Sequence, residues 1–368
     1  MVSFRKTWAG ILACGALFLA CLGCGADPGE PGGAAGTDAG AGPVPARTEA
    51  IEIEDPQVPM ALGPDEMFCL EGFSDVPREH AYFKEIDELR DEGVLTGSGS
   101  QAFCPDRAIT GRELAAMLSR ADGLSASWAT LFDDLADQDW YDNSLAEYGD
   151  AKIPASLAKL AMYRQAGLEI YNENAYDMET TMSRGEAAYF LCRVRRFAAL
   201  GLDFEYEDGY AATAQSVRET MIRDLPLEIS ATMAELDWSV EVGAGYIGNY
   251  MAEHGTSNIV GLCSYKNKTV YVLTPMAIVH ESGHFADKLM WGYQGRDELF
   301  AAEGEACGKY ISTYGAKNPA EFMAEIFTHY LSYRGDPEGL ARFRERMPLS
   351  YECMRTREDN GWFAPSAG

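Results

Sequence analysis

The feature that most constrains this chain is a pair of histidines with a glutamate between them at residues 280–284, which read HESGH. Apolar residues recur at helical spacing around the pair, so the segment is predicted to be an amphipathic helix. On such a helix His280 and His284 lie one turn apart and can point at one ion, as zinc requires of two histidine ligands. Glu281 would project beside them, where it could take the proton of an attacking water. The alternative is a surface helix that carries an ordinary Glu–His pair.

A zinc ion that performs chemistry needs a third protein ligand and one open coordination position. The next histidine after the pair is His329, so the third ligand is expected to be a carboxylate. The candidates on spacing are Glu298, Glu303, Glu305, Glu321 and Glu325. The last two lie one turn apart on a second predicted helix, for which Asn318 is a suitable N-cap and Pro319 a suitable first residue. Glu321 could instead complete a capping box with no metal role.

Two longer stretches resemble a known peptidase family. Residues 278–287, which read IVHESGHFAD, look like the HExGHxxD helix of the anthrax toxin lethal factor catalytic domain, a domain type shared by the Pro-Pro endopeptidases. Residues 314–327, which read YGAKNPAEFMAEIF, look like the Y-x6-E-F-[FM]-A-E-x-F signature of that family. Both motifs occur in the right order, and the resemblance covers about residues 220–335. It implies an α+β zincin-like metallopeptidase domain over residues 205–360.

Carried over to this sequence, the resemblance implies a zinc site of the gluzincin type. One Zn2+ ion per chain would be held by His280, His284 and Glu321, and Glu281 would be the general base. The implied reaction is hydrolysis of peptide bonds by a metal-activated water.

The resemblance also implies roles for three residues around the metal. Tyr314 would donate a hydrogen bond to the developing oxyanion or the leaving group, with a packed core aromatic as the alternative. Asp287 and Glu325 would be carboxylates that orient the ligand imidazoles. Ser282 departs from the family, which usually has an aromatic or larger apolar residue there, and only a change in packing is expected from it.

A hairpin is predicted upstream of the histidine pair. Residues 258–265 and 269–273 read as two strands around a Lys-Asn-Lys turn. Zinc peptidases of this class pair an extended peptide with an edge strand. The hairpin is therefore the candidate edge, and a plain scaffold role is the alternative.

The N-terminus predicts export. Arg5 and Lys6 precede a stretch of apolar and small residues too short to cross a bilayer comfortably, so residues 1–24 are predicted to be a lipoprotein-type signal peptide. The sequence around Cys24 resembles the lipobox of bacterial lipoproteins, in which the cysteine becomes the acylated N-terminus. Cys21 and an ordinary cleaved signal are the alternatives.

A linker is predicted to follow the signal peptide. Between residues 25 and 46, 17 of 22 residues are Gly, Ala or Pro. Such a composition cannot bury enough apolar surface to offset the entropy of ordering, so residues 25–65 are predicted to be a tether.

Residues 66–200 contain two loosely similar segments. The first runs from FSDVP at 73–77 through GVLTG at 93–97 to TGRE at 110–113, and the second ends with SRGE at 183–186. These motifs resemble S-layer homology repeats, whose pattern has an F-x-D-V start, a G-[IV]-x-x-G turn and a T-R-A-E motif. The resemblance implies a mostly α-helical module.

The resemblance also suggests a partner for this module. The arginine of T-R-A-E commonly contacts cell-wall polysaccharide in the family. This chain has Gly111 at that place in the first repeat and Arg184 in the second. Cell-wall polysaccharide is therefore a candidate partner, and a purely structural spacer is the alternative.

The cysteines outside the leader are consistent with an exported protein. They are even in number and form no CxxC pair, so disulfides are plausible, with open connectivity and with buried free thiols as the alternative. They are Cys69, Cys104, Cys192, Cys263, Cys307 and Cys353.

The net charge excludes one class of partner. The chain has 30 Lys and Arg against 57 Asp and Glu, a formal charge of −27, which argues against nucleic-acid binding. Together these features predict a multidomain, exported zinc endopeptidase acting on peptide or protein substrates, held at the cell envelope through a lipid anchor. The alternatives are a non-catalytic anchoring lipoprotein and a secreted effector with the same chemistry.

Overall fold

The structure is a computed structural model. It describes residues 72–97, 101–124, 131–135, 138, 141, 143–171 and 179–364. The predicted signal peptide, the tether, Cys24 and Cys69 lie outside these residues, so the statements about them stay predictions.

Helices dominate the described part of the chain. They are α1 (Phe83–Asp91), α2 (Gly111–Ala121), α3 (Leu131–Leu135), α4 (Asn143–Tyr148), α5 (Ala155–Gln165), α6 (Arg184–Leu200), α7 (Ala211–Arg223), α8 (Leu227–Glu235), α9 (Gly245–His254), α10 (Pro275–Leu289), α11 (Arg296–Tyr310), α12 (Pro319–Ser332), α13 (Pro337–Arg346) and α14 (Pro348–Asp359). The strands are β1 (Asp203–Tyr206), β2 (Ser239–Val242), β3 (Gly261–Ser264) and β4 (Thr269–Val272). None of these described helices combines the length and apolar character needed to cross a bilayer.

The distribution of elements agrees with the predicted architecture at a coarse level. Up to residue 200 the described regular elements are all helices, as expected of the repeat module. After residue 200 helices accompany a small mixed sheet, as in an α+β domain. That this second part is zincin-like stays a prediction.

The repeat motifs TGRE and SRGE each lie at the N-terminus of a helix. Thr110 caps α2 and Ser183 caps α6, each accepting a hydrogen bond from the backbone of the glutamate three residues on. The side chains of Glu113 and Glu186 reach back to the cap backbone, which completes a capping box in both repeats. The same local chemistry therefore begins the second long helix of each repeat.

Arg184 joins the two repeats. It is 7% exposed, and its guanidinium donates to the carbonyl of Phe103 at 2.8 Å and to Glu113 at 2.7 Å. Both partners belong to the first repeat. The arginine that the family uses toward glycan is thus an internal cross-link in this chain.

The repeat module and the C-terminal part share one core. All of the described residues belong to one compact unit, in which α6 packs against α7 and α8. Arg193 on α6 donates to the carbonyls of Ile222 and Leu225. Arg218 on α7 stacks 4.1 Å from the ring centre of Tyr171 in the repeat module. The predicted boundary near residues 200–205 therefore falls inside a continuous hydrophobic core.

The sheet has the order β1-β2-β4-β3. Its first three strands are parallel, and β3 pairs with β4 in the antiparallel sense. The predicted hairpin is confirmed, with strands shorter than the sequence suggested, and β3 is an edge strand. Among the described strands, this placement leaves one side of β3 without a partner.

Four of the cysteines, Cys192, Cys263, Cys307 and Cys353, are free thiols. Burial raises the pKa of the Cys192 thiol to about 12, and burial likewise raises the pKa of Cys307 to about 11. For these four residues the disulfide expectation is wrong; Cys192 and Cys307 are buried thiols, as in the alternative, whereas Cys263 and Cys353 are partly buried.

Candidate metal centre

The histidine pair lies on α10, as the sequence predicts. Thr274 caps this helix by accepting a hydrogen bond from the backbone of Ala277 at 3.3 Å, and Pro275 occupies the first turn. Ile278 and Phe285 are fully buried on one face, which explains why the segment is helical and how it is oriented. His280 and His284 are therefore held on the other side of a well-anchored helix.

The predicted carboxylates lie on α12, which begins as expected. The Asn318 side chain accepts hydrogen bonds from the backbones of Ala320 and Glu321, both at 3.0 Å, and Pro319 follows it. The carboxylate of Glu321 does not return to the cap but faces the histidines. The capping-box alternative for Glu321 is therefore wrong.

A glycine lets the two helices meet. A Cβ atom at Gly283 would lie 2.9 Å from the Cα of Ala324 and 3.1 Å from a ring carbon of Phe327. Contacts this short with backbone do not occur in real proteins, so only glycine permits the observed approach of α10 to α12. This close approach of the two helices places His280 and His284 next to Glu321.

Three donor atoms converge between these helices. Oε2 of Glu321 lies 3.1 Å from Nε2 of His280 and 3.2 Å from Nε2 of His284. The three ligand atoms all lie within 4.8 Å of one another. A tetrahedral zinc ion keeps its ligand atoms about 3.3 Å apart, since its bonds to nitrogen and oxygen are about 2.0–2.2 Å. The donor set of two imidazoles and one carboxylate therefore fits zinc.

Glu325 contacts Nδ1 of His280, the ring nitrogen that does not face Glu321. Its Oε1 lies 3.0 Å from Nδ1 of His280, and its Oε2 accepts a hydrogen bond from the hydroxyl of Ser312 at 2.7 Å. Burial opposes ionisation of Glu325, but these two hydrogen bonds outweigh it and lower its pKa. The contact is the one expected of a carboxylate that orients an imidazole. Ser312 belongs to neither motif, so its hydrogen bond to Glu325 could not be predicted from the sequence.

Asp287 is placed differently from the expectation. Its Oδ2 pairs with Arg296 at 3.3 Å, and its Oδ1 is buried with no hydrogen-bond partner among the residues that the structure describes. Burial raises the pKa of Asp287. The structure thus directs this carboxylate to the start of α11, and not to an imidazole of the histidine pair.

Tyr314 lies at the open side of the centre. It is 44% exposed, and its ring centre is 5.8 Å from that of His280. Partial burial and a hydrogen bond from its hydroxyl to Glu321 raise its pKa. The position agrees with a donor that faces a substrate, and the packed-core alternative does not fit a ring this exposed.

Glu281 lies beside the donor atoms and against the edge strand. It is 8% exposed, and its side chain contacts the backbone at Gly261, the first residue of β3. Burial raises the pKa of Glu281. A carboxylate with a raised pKa, next to the three candidate metal ligands, fits the general base that the sequence predicts.

The other carboxylates considered as ligands lie elsewhere. Glu303 accepts hydrogen bonds from the backbones of Leu349 and Ser350 at 2.9 and 2.8 Å, so it caps α14. Glu298 and Glu305 are exposed on α11. Among the described residues, the group able to hold a metal ion is His280, His284 and Glu321.

Comparison with known families gives a match in the repeat module. Residues 72–115 match the S-layer homology domain, which covers α1 and the first half of α2 and corresponds to the first predicted repeat. No curated protein matches the chain. The S-layer homology prediction is thereby confirmed for the first repeat, while the resemblance of residues 220–335 to lethal factor gains no support from the comparisons.

One prediction concerns the helix contact. Gly283→Ala should separate α10 from α12, lower the free energy of unfolding by about 1–3 kcal/mol and weaken zinc binding at least about tenfold. Zinc titration and thermal unfolding measure both effects. Gly248→Ala on α9 is the matched control, because a Cβ there would meet no atom of the described chain within 4 Å apart from its chain neighbours and the backbone of its own helix. Equal zinc affinity in the two variants would contradict this role of Gly283.

A second prediction concerns pH in the metal-free protein. Burial lowers the pKa of His280, but its hydrogen bonds to Glu321 and Glu325 outweigh this and raise the pKa from 6.5 to about 10. Because the folded pKa is the higher one, this stabilisation is complete below pH 6.5 and is lost as the pH rises toward 10. The Tm in EDTA should therefore fall with rising pH more steeply for the wild type than for His280→Ala. His254→Ala, on α9, should keep the wild-type slope, and a parallel fall in all three proteins would refute the assignment.

Proposed function

We propose that this chain is a cell-surface protein that binds cell-wall polysaccharide through its S-layer homology repeats, and that its C-terminal part hydrolyses peptide bonds with a zinc ion. The first function is supported by the match of residues 72–115, because S-layer homology domains typically bind cell-wall polysaccharide. The second is supported by one observation, the convergence of His280, His284 and Glu321. The comparisons favour the envelope function, and the catalytic function depends on geometry alone.

A cationic cluster in the repeat module supports glycan binding. Arg107 and Arg184 both pair with the single carboxylate of Glu113. Arg120 lies close enough to Arg184 that burial and this neighbouring charge lower its pKa. Two guanidinium groups on one carboxylate, with a third guanidinium beside Arg184, leave local positive charge in a chain of net charge −27. Such a cluster favours an acidic group on the polysaccharide.

Within this cluster Arg107 is the member that a polymer can reach. Its side chain is 43% exposed, whereas that of Arg184 is 8% exposed. Arg107→Ala should therefore weaken binding to purified envelope polysaccharide about fivefold, or about 1 kcal/mol, without unfolding the protein. Co-sedimentation with the polysaccharide measures the change. Lys84→Ala, an exposed cation on α1 of the same module, should bind like the wild type, and equal binding by all three would exclude Arg107 from the contact.

Each residue around the metal centre has a role in the proposed hydrolysis. His280, His284 and Glu321 would hold the zinc ion. Zinc, when bound, supplies a Lewis acid that polarises the scissile carbonyl and lowers the pKa of a water. Glu281 takes the proton from the attacking water and delivers it to the leaving amine. Tyr314 donates a hydrogen bond to the oxygen that gains negative charge.

The edge strand supplies a place for the substrate. Within the described part of the chain, β3 has no strand partner on the side away from β4, and α10 packs against it. An extended peptide can pair with the backbone of this free edge and so pass over the metal centre. The proposed substrate is therefore an extended segment of a peptide or protein. Acylation of Cys24 would hold the whole protein at the membrane surface.

Zinc content and cleavage test this assignment. Purified protein should contain about one zinc per chain, and Glu281→Ala should keep the metal while cleavage of a peptide library falls by about 100- to 10,000-fold. Glu321→Ala should lose the metal, whereas Glu298→Ala, an exposed carboxylate on α11, should change neither quantity. Metal analysis and mass spectrometry of the library provide the readouts. Full activity in Glu281→Ala would overturn the proposal.

A further inference from the structure

Gly261 is the first residue of the edge strand β3, and the general base lies against it. A Cβ atom at this position would be 2.6 Å from Oε1, 2.7 Å from Cγ and 3.0 Å from Cδ of Glu281. Real Cβ atoms do not approach other atoms this closely. The side chain of Glu281 therefore occupies the space that any residue other than glycine would need.

The free edge of β3 also provides a hydrogen bond. The backbone of Leu273 donates to the carbonyl of Val260 at 2.8 Å, and in an antiparallel pair the residues alternate between facing the partner strand and facing away. Gly261 and Cys263 therefore direct their backbone groups away from β4. The backbone of Cys263 hydrogen-bonds with Glu281. The strand thus leaves room for the carboxylate and binds it.

The contacts around Gly261 indicate which atoms would move if a side chain were added at position 261. β3 is fixed to β4 by its register, in which Gly261 faces Val272, and α10 is fixed by its contact with α12. The three close atoms all belong to the flexible end of Glu281. A methyl group at position 261 should therefore displace this carboxylate and leave the strand and the helix in place.

We propose that Gly261 is a positioning residue for Glu281, because the absence of a side chain at 261 allows the carboxylate to lie between the edge strand and the three metal-binding groups. The inference rests on the proposed catalytic function, in which Glu281 is the general base. It adds a requirement at a residue outside the two motifs, residues 278–287 and 314–327, that resemble the peptidase family. Replacement by alanine would move the base away from the water that it must deprotonate.

Kinetics provide the first test. The probe is an internally quenched peptide that the wild type cleaves, and the variants are Gly261→Ala and the control Gly248→Ala. Gly261→Ala should lower kcat about 100-fold, as expected of a displacement near 1 Å, while KM and zinc content stay as in the wild type. Gly248→Ala should match the wild type in all three quantities. An unchanged kcat in Gly261→Ala would overturn the proposal.

Stability of the metal-free protein provides a test that needs no activity. Gly261→Ala should lower Tm by about 3 °C when Glu281 is present. In a Glu281→Ala background the crowded atoms are gone, so the same change should leave Tm unaltered. An equal loss in both backgrounds, or failure to fold in both, would show a backbone requirement and overturn the proposal. If the wild type cleaves no peptide but this coupling is found, the peptidase function fails and the placement of Glu281 by Gly261 stands.

Discussion

The contact of α10 with α12 at Gly283 is the constraint on which the candidate metal centre depends. Two histidines on one helix can only offer a zinc ion two ligands, and the third must come from another element at a fixed distance. The Cα of Ala324 occupies the space next to Gly283, so the helices meet at this point with no side chain between them. Glu321 and Glu325, on either side of Ala324, are placed by this contact one turn apart beside His280.

The contact of α10 with α12 brings several carboxylates close together, and a bound cation would reduce the repulsion between them. Glu281, Glu321 and Glu325 all lie near His280, and in the metal-free protein these carboxylates raise the pKa of its imidazole, which favours a bound proton. Zinc would have to displace this proton, so its binding should be linked to proton release. Asp287 faces a different cation, Arg296, which keeps a further carboxylate from adding to the negative charge of the centre.

Local sequence determines the parts of this structure that could be predicted. Thr274 and Asn318 cap their helices as their residue types require, and the spacing of His280, His284, Glu321 and Glu325 sets which side chains share a helix face. Tertiary packing determines which groups pair with the buried charges, and the spacing of residues along the chain does not predict these pairs. Glu303 caps α14, forty-five residues further on in the chain, and Asp287 turns to Arg296. The first repeat was recognisable by its motifs, but the internal position of Arg184 depends on Glu113 in the other repeat.

The shared core gives the two proposed functions a fixed spatial relation. α6 begins with the capping box of the second repeat and ends against α7 and α8, and α7 packs on α10, which carries the histidines. Each of these contacts is between packed helices, and Arg193 and Arg218 bridge the junction through buried guanidinium groups. The repeats are therefore not a separate anchor on a flexible hinge. Attachment of the repeat module to polysaccharide would orient α10 and the free edge of β3 in a defined direction from the wall.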